Sequence, residues 1–511
     1  MAHPLVFRAA IATLTAISVI SCQSPPDEIS EFEQPIQTGE QLRLGALMPE
    51  TGRLATVGQP LLNALVLVRD RANACGGVNQ APVALVTADT RSNSPSEADA
   101  LVRLVRGTQV HGAIATLSAD STQRLIGIAT RNRVPLLSPT NADIPLENGE
   151  EAEATEAETF DGYWARTVLA HQQEAIALAE MAIAKGFDAI ATVVSDTPDG
   201  LQFEQAFTQR FEQLGGTVVN AAAPIRYRSQ ALSSGVDDNR LPFGFGGEPP
   251  SDESPDGTAP EASAPDVNEA ADSNELEDDF NELLGASEPP PAAVVVFLEN
   301  QAGIDWLRAI ATQRSATDIP WLVAQTPTLA GLLKDRRFRV GLPSAVSNLP
   351  QAGSRHLLTG AMGLSVRPTR EAFQVLVQAW QARFDEPMGA YVPQAWDAAT
   401  LLLLAAEAGQ ANDGVAIRSQ LRAVANPPGV PVVEVCQGLQ YLRDGESIDY
   451  QGASGSLNLD SWGNVMGAVE FDLWQITATG DKEIIDQIKL GQMEPVTAQP
   501  TAEETSGAGD N

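Results

Sequence analysis

From residue 42 onward the chain alternates short, continuously apolar runs with longer amphipathic ones. LRLGALM (42–48), PVALVTAD (82–89), HGAIATLS (111–118) and VPLLSP (134–139) read as strands. Between them PLLNALVLVRDRANA (60–74), SEADALVRLVRG (96–107) and STQRLIGIATRN (121–132) carry helical periodicity. The first of these helices opens with Pro60, which suits a first turn, and stops at Gly76-Gly77. Strands apolar along their whole length, each followed by a helix, predict a parallel sheet covered on both faces.

The alternation breaks at 147–161 and then resumes. Helices are predicted for 171–186, 201–216 and 303–314, and strands for DAIATVVS (188–195), TVVNAAAP (217–224), AAVVVFLE (292–299) and IPWLVAQ (319–325). This is a second doubly wound unit. IRYRSQA (225–231) and the short helix DDFNELLGA (278–286) would make one strand-to-helix connection if 232–277 were removed, so that stretch is expected to be a solvated excursion. EAFQVLVQAWQARF (371–384), PQAWDAATLLLLAAEAG (393–409) and SQLRAVAN (419–426) are helical, EFDLWQI (470–476) is strand-like, and 484–511 is a polar tail. LLLLAA (401–406) is too short to span a bilayer and reads as a buried helix.

At the amino end, Arg8 and the uncharged, largely apolar residues 9–20 suit a secretory signal, being too short for a membrane span. The run ends in Val19-Ile20-Ser21-Cys22, before the polar, Pro-rich QSPPDEISEFEQP, and resembles a bacterial lipobox. The resemblance implies a signal peptide over 1–21, a lipid on the Cys22 thiol and a tether over 22–40. The alternative is an ordinary signal peptide followed by an incidental cysteine.

Composition narrows the function. With 511 residues and 43% apolar side chains, two or three domains can each bury a core. The net charge is −34, but it is concentrated: 242–291 contains 14 acidic residues and 147–161 contains seven, with no basic residue in either. The remainder, 45 acidic against 32 basic residues, is only mildly acidic. The full net charge of −34 repels phosphate backbones and anionic lipid, so no nucleic-acid partner is expected, and the membrane is met through the lipid anchor only. No CxxC, HExxH, GxSxG or Walker pattern is present, so no metal, no cofactor and no enzyme activity are expected. His111, His171 and His356 stand isolated and read as structural.

The order of elements resembles the periplasmic leucine/isoleucine/valine-binding protein family, the type I solute-binding lipoproteins of ABC importers. LGALMPETGRLATVGQPLLNAL, RANACGGVNQAPVALVTAD, VPLLSPTNADIPL, FEQLGGTVV and YQGASGSLNLDSWGNV carry the resemblance, spread over 41–480. It implies the type I periplasmic binding fold: α/β, with two doubly wound parallel-sheet lobes joined by a three-crossing hinge. On that template lobe 1 comprises 41–165 and 364–455, and lobe 2 comprises 166–363 and 456–480. In an exported chain Cys75 and Cys436 meet an oxidising compartment and both fall in lobe 1. A disulfide between them and two separate buried thiols both remain open.

In open parallel sheets, ligands bind beyond the carboxyl ends of the strands. That rule selects loops 49–57, 117–122 and 138–142 in the first lobe, and 196–200, 298–301 and 325–327 in the second. Ser118, Ser121, Thr122, Thr140 and Asn141 are hydroxyl and amide groups suited to a carboxylate, which the resemblance implies they hold. Plain helix capping also accounts for Ser121. The resemblance sets Asp199 and Glu299 where an ammonium would be met, although either also reads as a solvated loop acid, and the family often has an aromatic residue at the Asp199 position. Tyr391 matches a family aromatic that lines the pocket; a packing role is the alternative. Gln325 and Arg53 are weaker candidates, and Trp396 reads as core. The function implied is a monomeric, periplasmic or otherwise extracytoplasmic binding protein. It would deliver an amino-acid-like solute to an ABC permease by hinge closure. A regulatory lipoprotein of the same fold that docks on an envelope or cell-wall enzyme is the competing reading.

Overall fold

The computed structural model describes residues 40–489 except 53, 93, 117–118, 143–161, 228–279, 281, 283, 286, 299–300, 314–318, 325–332, 334–337, 341–354 and 467–468. Cys22, the 232–277 excursion, Ser118, Glu299 and Gln325 lie outside the described residues.

The first sheet is wholly parallel, in the order β2-β1-β3-β4-β5. Its strands are β1 (Leu42–Met48), β2 (Val83–Asp89), β3 (Gly112–Ala115), β4 (Leu136–Ser138) and β5 (Trp164–Arg166). Helices α1 (Ala55–Ala74), α2 (Ser94–Val102) and α3 (Ala119–Arg131) make the crossovers. α1 begins five residues before Pro60, which therefore sits in the second turn rather than the first. The preceding loop is pinned early: Leu54 N–H donates to Ser92 Oγ (2.9 Å), and Gly58 packs where a Cβ would lie 2.2 Å from the Pro49 carbonyl oxygen.

The chain then builds the second sheet. α4 (His171–Ala184), β6 (Ala189–Ser195), α5 (Pro198–Gln213), β7 (Thr217–Val218), β8 (Ile225–Tyr227), β9 (Ala293–Val296), α6 (Gln301–Gln313) and β10 (Trp321–Val323) follow in turn. After the small antiparallel pair β11 (Arg339–Val340) and β12 (Arg355–His356) comes β13 (Met362–Val366). The strand expected over 217–224 is broken after Val218 because the Asn220 side chain takes over the pairing. Its amide accepts from Thr192 N–H (2.9 Å) and donates to Thr192 C=O (2.8 Å), and β8 then resumes on β6.

A return to the first lobe supplies α7 (Arg370–Gln381), α8 (Val392–Ala408), α9 (Gly414–Ala425), β14 (Val430–Val432), α10 (Val435–Arg443) and β15 (Ile448–Tyr450). α8 is apolar on nearly every face and is the centre of the first-lobe core, packed against α1, α9 and α10. Cys75, at the end of α1, is disulfide-bonded to Cys436 in the first turn of α10, with Cα atoms 5.8 Å apart.

Finally β16 (Glu470–Ile476) and β17 (Lys482–Lys489) complete the second sheet, order β17-β16-β13-β10-β9-β6-β7 with β8 also on β6. Both pair antiparallel, so this sheet is mixed rather than all-parallel, and the expected tail is a strand as far as Lys489. The boundaries move as well. β13 lies in the second sheet, so the second crossing follows Val366 instead of 363, and Leu457, Leu459 and Val465 belong to the first-lobe core, so the third crossing follows 465 instead of 455. Both shifts have one cause: the apolar residues concerned are buried against the other lobe's sheet or core. Among the described residues no helix is long and apolar enough to cross a membrane.

Candidate functional site

A parallel sheet delivers all its strand-to-helix loops to one edge. At that edge of the first sheet the structure brings Ser121, Thr122, Thr140 and Asn141 together. Asn141 Nδ2 donates to Thr122 Oγ1 (2.9 Å), and its backbone N–H donates to Ser138 Oγ (3.1 Å) at the end of β4. Ser121 lies inside α3, fully buried, with its hydroxyl donating to the Glu97 carboxylate on α2. It is therefore not the helix cap that one sequence reading allowed.

Three residues that the sequence did not single out complete this surface. Arg166, 1% exposed at the end of β5, reaches the Asn141 carbonyl through Nη1 (3.4 Å). Thr167 N–H donates to Ser138 C=O (3.1 Å), and its hydroxyl donates to the main-chain carbonyl of Gln394 (2.8 Å). Gln394 sits in the first turn of α8, three residues after Tyr391, which holds φ 61° and is half-buried against the first-lobe core. A charged residue closing the apolar strand of Trp164 and Ala165 was the available sequence signal for Arg166; Gln394 carried none.

Asp199 is not in a loop. Pro198 starts α5, Thr197 caps it by accepting from Gly200 N–H (3.1 Å), and Asp199 occupies the first turn, where a carboxylate is favoured by the helix dipole. The isolated histidines pack. His171 meets Phe297 edge-on and His356 stacks on Phe338. His111 lies at the opposite edge of the first sheet, in a depression of about 500 Å³, with Arg43 Nη2 3.0 Å from its Nε2. Burial and the Arg43 charge hold His111 below its ordinary pKa.

The segment leading into the third crossing packs on the other two beside the hydroxyl and amide cluster. Arg166 N–H donates to Gly463 C=O (2.9 Å), and Gly463 (φ 82°) lies against Trp164, where a Cβ would be 2.2 Å from the carbonyl oxygen. Gly455 (φ 136°) lies against Val366 and Arg367 of the second crossing. The loop carrying Gly455 is fixed by Asp397 of α8, whose buried carboxylate accepts from Tyr450 Oη (2.8 Å), Ala453 N–H (2.8 Å), Ser454 N–H (2.7 Å) and Ser454 Oγ (2.6 Å). Burial pushes this carboxyl up to about 6 despite the four donors. The arrangement offers a small polar molecule hydroxyl, amide and guanidinium groups next to a jointed connection between two sheets. Among the described residues no cluster of three metal-ligating side chains occurs.

Residues 41–237 match the periplasmic binding protein family. Among solved structures, the leucine-binding protein LivK of Thermotoga maritima is 16% identical, with 88% of this chain and 98% of that one covered and a TM-score of 0.55. LivJ of Streptococcus pneumoniae, a branched-chain amino acid transporter substrate-binding protein in complex with isoleucine, is 14% identical, with 88% and 100% covered and a TM-score of 0.54. An ABC-transporter solute-binding protein of R. palustris in complex with benzoate is 16% identical, with 90% and 98% covered and a TM-score of 0.54. At such identities the likeness establishes the fold. No curated protein matches the chain.

Proposed function

We propose that this chain, which has the type I periplasmic binding fold and whose residues 41–237 match the periplasmic binding protein family, is an extracytoplasmic solute-binding protein anchored by a lipid on Cys22. It delivers an amino acid or related small polar solute to an ABC permease. The observation that carries this reading is the cluster of Thr122, Thr140, Asn141 and Arg166 at the strand-end edge, adjoining three inter-sheet crossings.

In this mechanism the solute docks first on the first-lobe cluster. Residues of the second lobe, with Asp199, Glu299 and Gln325 as candidates, then add contacts as the crossings flex. The solute drives closure only through its higher affinity for the closed form. Moving from 1% to 99% closed requires about 5.5 kcal/mol of such preference. The permease would then read the closed shape.

Calorimetric titration of the mature protein with a panel of amino acids, amides and urea tests the reading, and at least one micromolar ligand is expected. Silence across the panel would sink it and turn attention to a regulatory lipoprotein of the same fold. The anchor is checked separately by the mass of the mature protein, which should begin at Cys22 and carry fatty acyl chains.

A further inference from the structure

Two polar atoms beside this cluster stand apart from its hydrogen-bond network. Thr140 Oγ1 and Gln394 Oε1 are buried, and among the described residues neither takes a hydrogen bond. Buried polar atoms are nearly always paired, because desolvation without a partner is unfavourable. Four neighbouring groups at this edge are paired. Ser138 Oγ, Thr122 Oγ1, Thr167 Oγ1 and the main-chain carbonyl of Gln394 are all used. The two orphans belong to segments that Thr167 links: it bonds to Ser138, two residues before Thr140, and to Gln394 itself. Gln394 is also held firmly, in the first turn of a 17-residue helix buried in the first-lobe core.

We propose that Gln394 is a ligand-contacting, specificity-determining residue, working with Thr140 to select a solute that presents an N–H donor together with an acceptor. This deepens the binding function proposed above and rests on it. A hydroxyl at Thr140 can donate to a carboxylate or an amide oxygen. The side-chain carbonyl of Gln394 can only accept, so its partner must bring a hydrogen. An α-amino acid or amino-acid amide satisfies both atoms at once. A benzoate, the ligand of one structural neighbour, brings a carboxylate and no donor. A solute without the donor would bury the Gln394 oxygen unpaired, and sites built to bond an N–H reject analogues that lack it.

The experiment is calorimetric titration of the full mature chain, as wild type and as the Gln394→Leu, Gln394→Glu and Thr140→Val variants, against amino acids, their amides and benzoate. The wild type should favour a solute with an N–H donor. Gln394→Leu should weaken that solute by about tenfold or more, and Gln394→Glu, which keeps an acceptor, should retain it. Thermal melting without ligand controls for folding: Gln394→Leu should melt at or above the wild-type temperature, since an unpaired oxygen has been removed. Unchanged affinity in Gln394→Leu overturns the inference and leaves the binding function standing. Preference for benzoate, or loss of binding in Gln394→Glu, also overturns it, because either means that the position does not accept a hydrogen from the ligand. A wild type that binds nothing in the panel overturns the binding function and this inference together.

Discussion

Asp397 holds Ser454 by two hydrogen bonds to a single carboxylate oxygen, one from the backbone N–H at 2.7 Å and one from the hydroxyl at 2.6 Å. The helix that forms the first-lobe core is thereby tied to the loop that leans on the second crossing, through Gly455 against Val366.

Replacing Asp397 with Asn turns one acceptor into a donor facing these N–H and O–H groups. The expected loss is about 3 kcal/mol of folding stability, read from urea unfolding. The pH dependence has a definite sign. The folded carboxyl titrates at about 6, above its ordinary 3.8, so as the pH falls through 6 the folded chain takes up a proton that the unfolded chain does not. This group therefore adds stability on acidification from pH 6 to about 4, by roughly 3 kcal/mol at 1.36 kcal/mol per unit. In the Asn variant that component of the profile should vanish.

Asp89 behaves in the opposite way. Burial alone would raise its pKa, but the Thr51 hydroxyl and the N–H groups of Arg91, Thr51 and Glu50 outweigh it and hold the carboxyl below 3.8. Its contribution is complete above pH 3.8 and lost as the pH falls through the depressed folded value. Hydrogen exchange at the Glu50 and Thr51 amides should be slow at neutral pH and faster in Asp89→Asn, with the loop before α1 loosened.

The Cys75–Cys436 bridge closes a span of 361 residues, which includes the whole second-lobe excursion between the first and second crossings. Cys436→Ser should cost about 2–5 kcal/mol and lower the melting temperature. The neighbouring pair Arg71–Glu434 (2.8 Å) is partly exposed and should contribute little when removed.

Deletion of 232–277 should leave the melting temperature within a few degrees of the intact protein and the solute affinity unchanged. β8 and β9, which flank the deleted stretch, both pair with β6, so the ends to be joined adjoin the same strand. A large drop in melting temperature would mean that the acidic stretch contributes to the core.

What the residues determined alone was local and periodic. Apolar runs with period two or none, set against runs of period 3.6, specify each strand and helix through neighbours only a few residues away. That is why β1, β6, β9, α8 and the mildly acidic core regions were legible. The lobe boundaries were harder to read: Leu457 and Leu459 carry no local mark of which core will bury them. Likewise, nothing adjacent to Asn220 announces that its amide will replace a strand.

The candidate site was assembled by the tertiary structure. Sheet register sets the end of β4 beside the end of β5, and the second crossing returns the chain so that Gln394 meets Thr167 across 227 residues of sequence. Hydrogen bonds between residues so far apart depend on where two sheets and their helices come to rest. Hydropathy records which residues must leave water, but not which polar atoms will be brought to the same edge of a sheet.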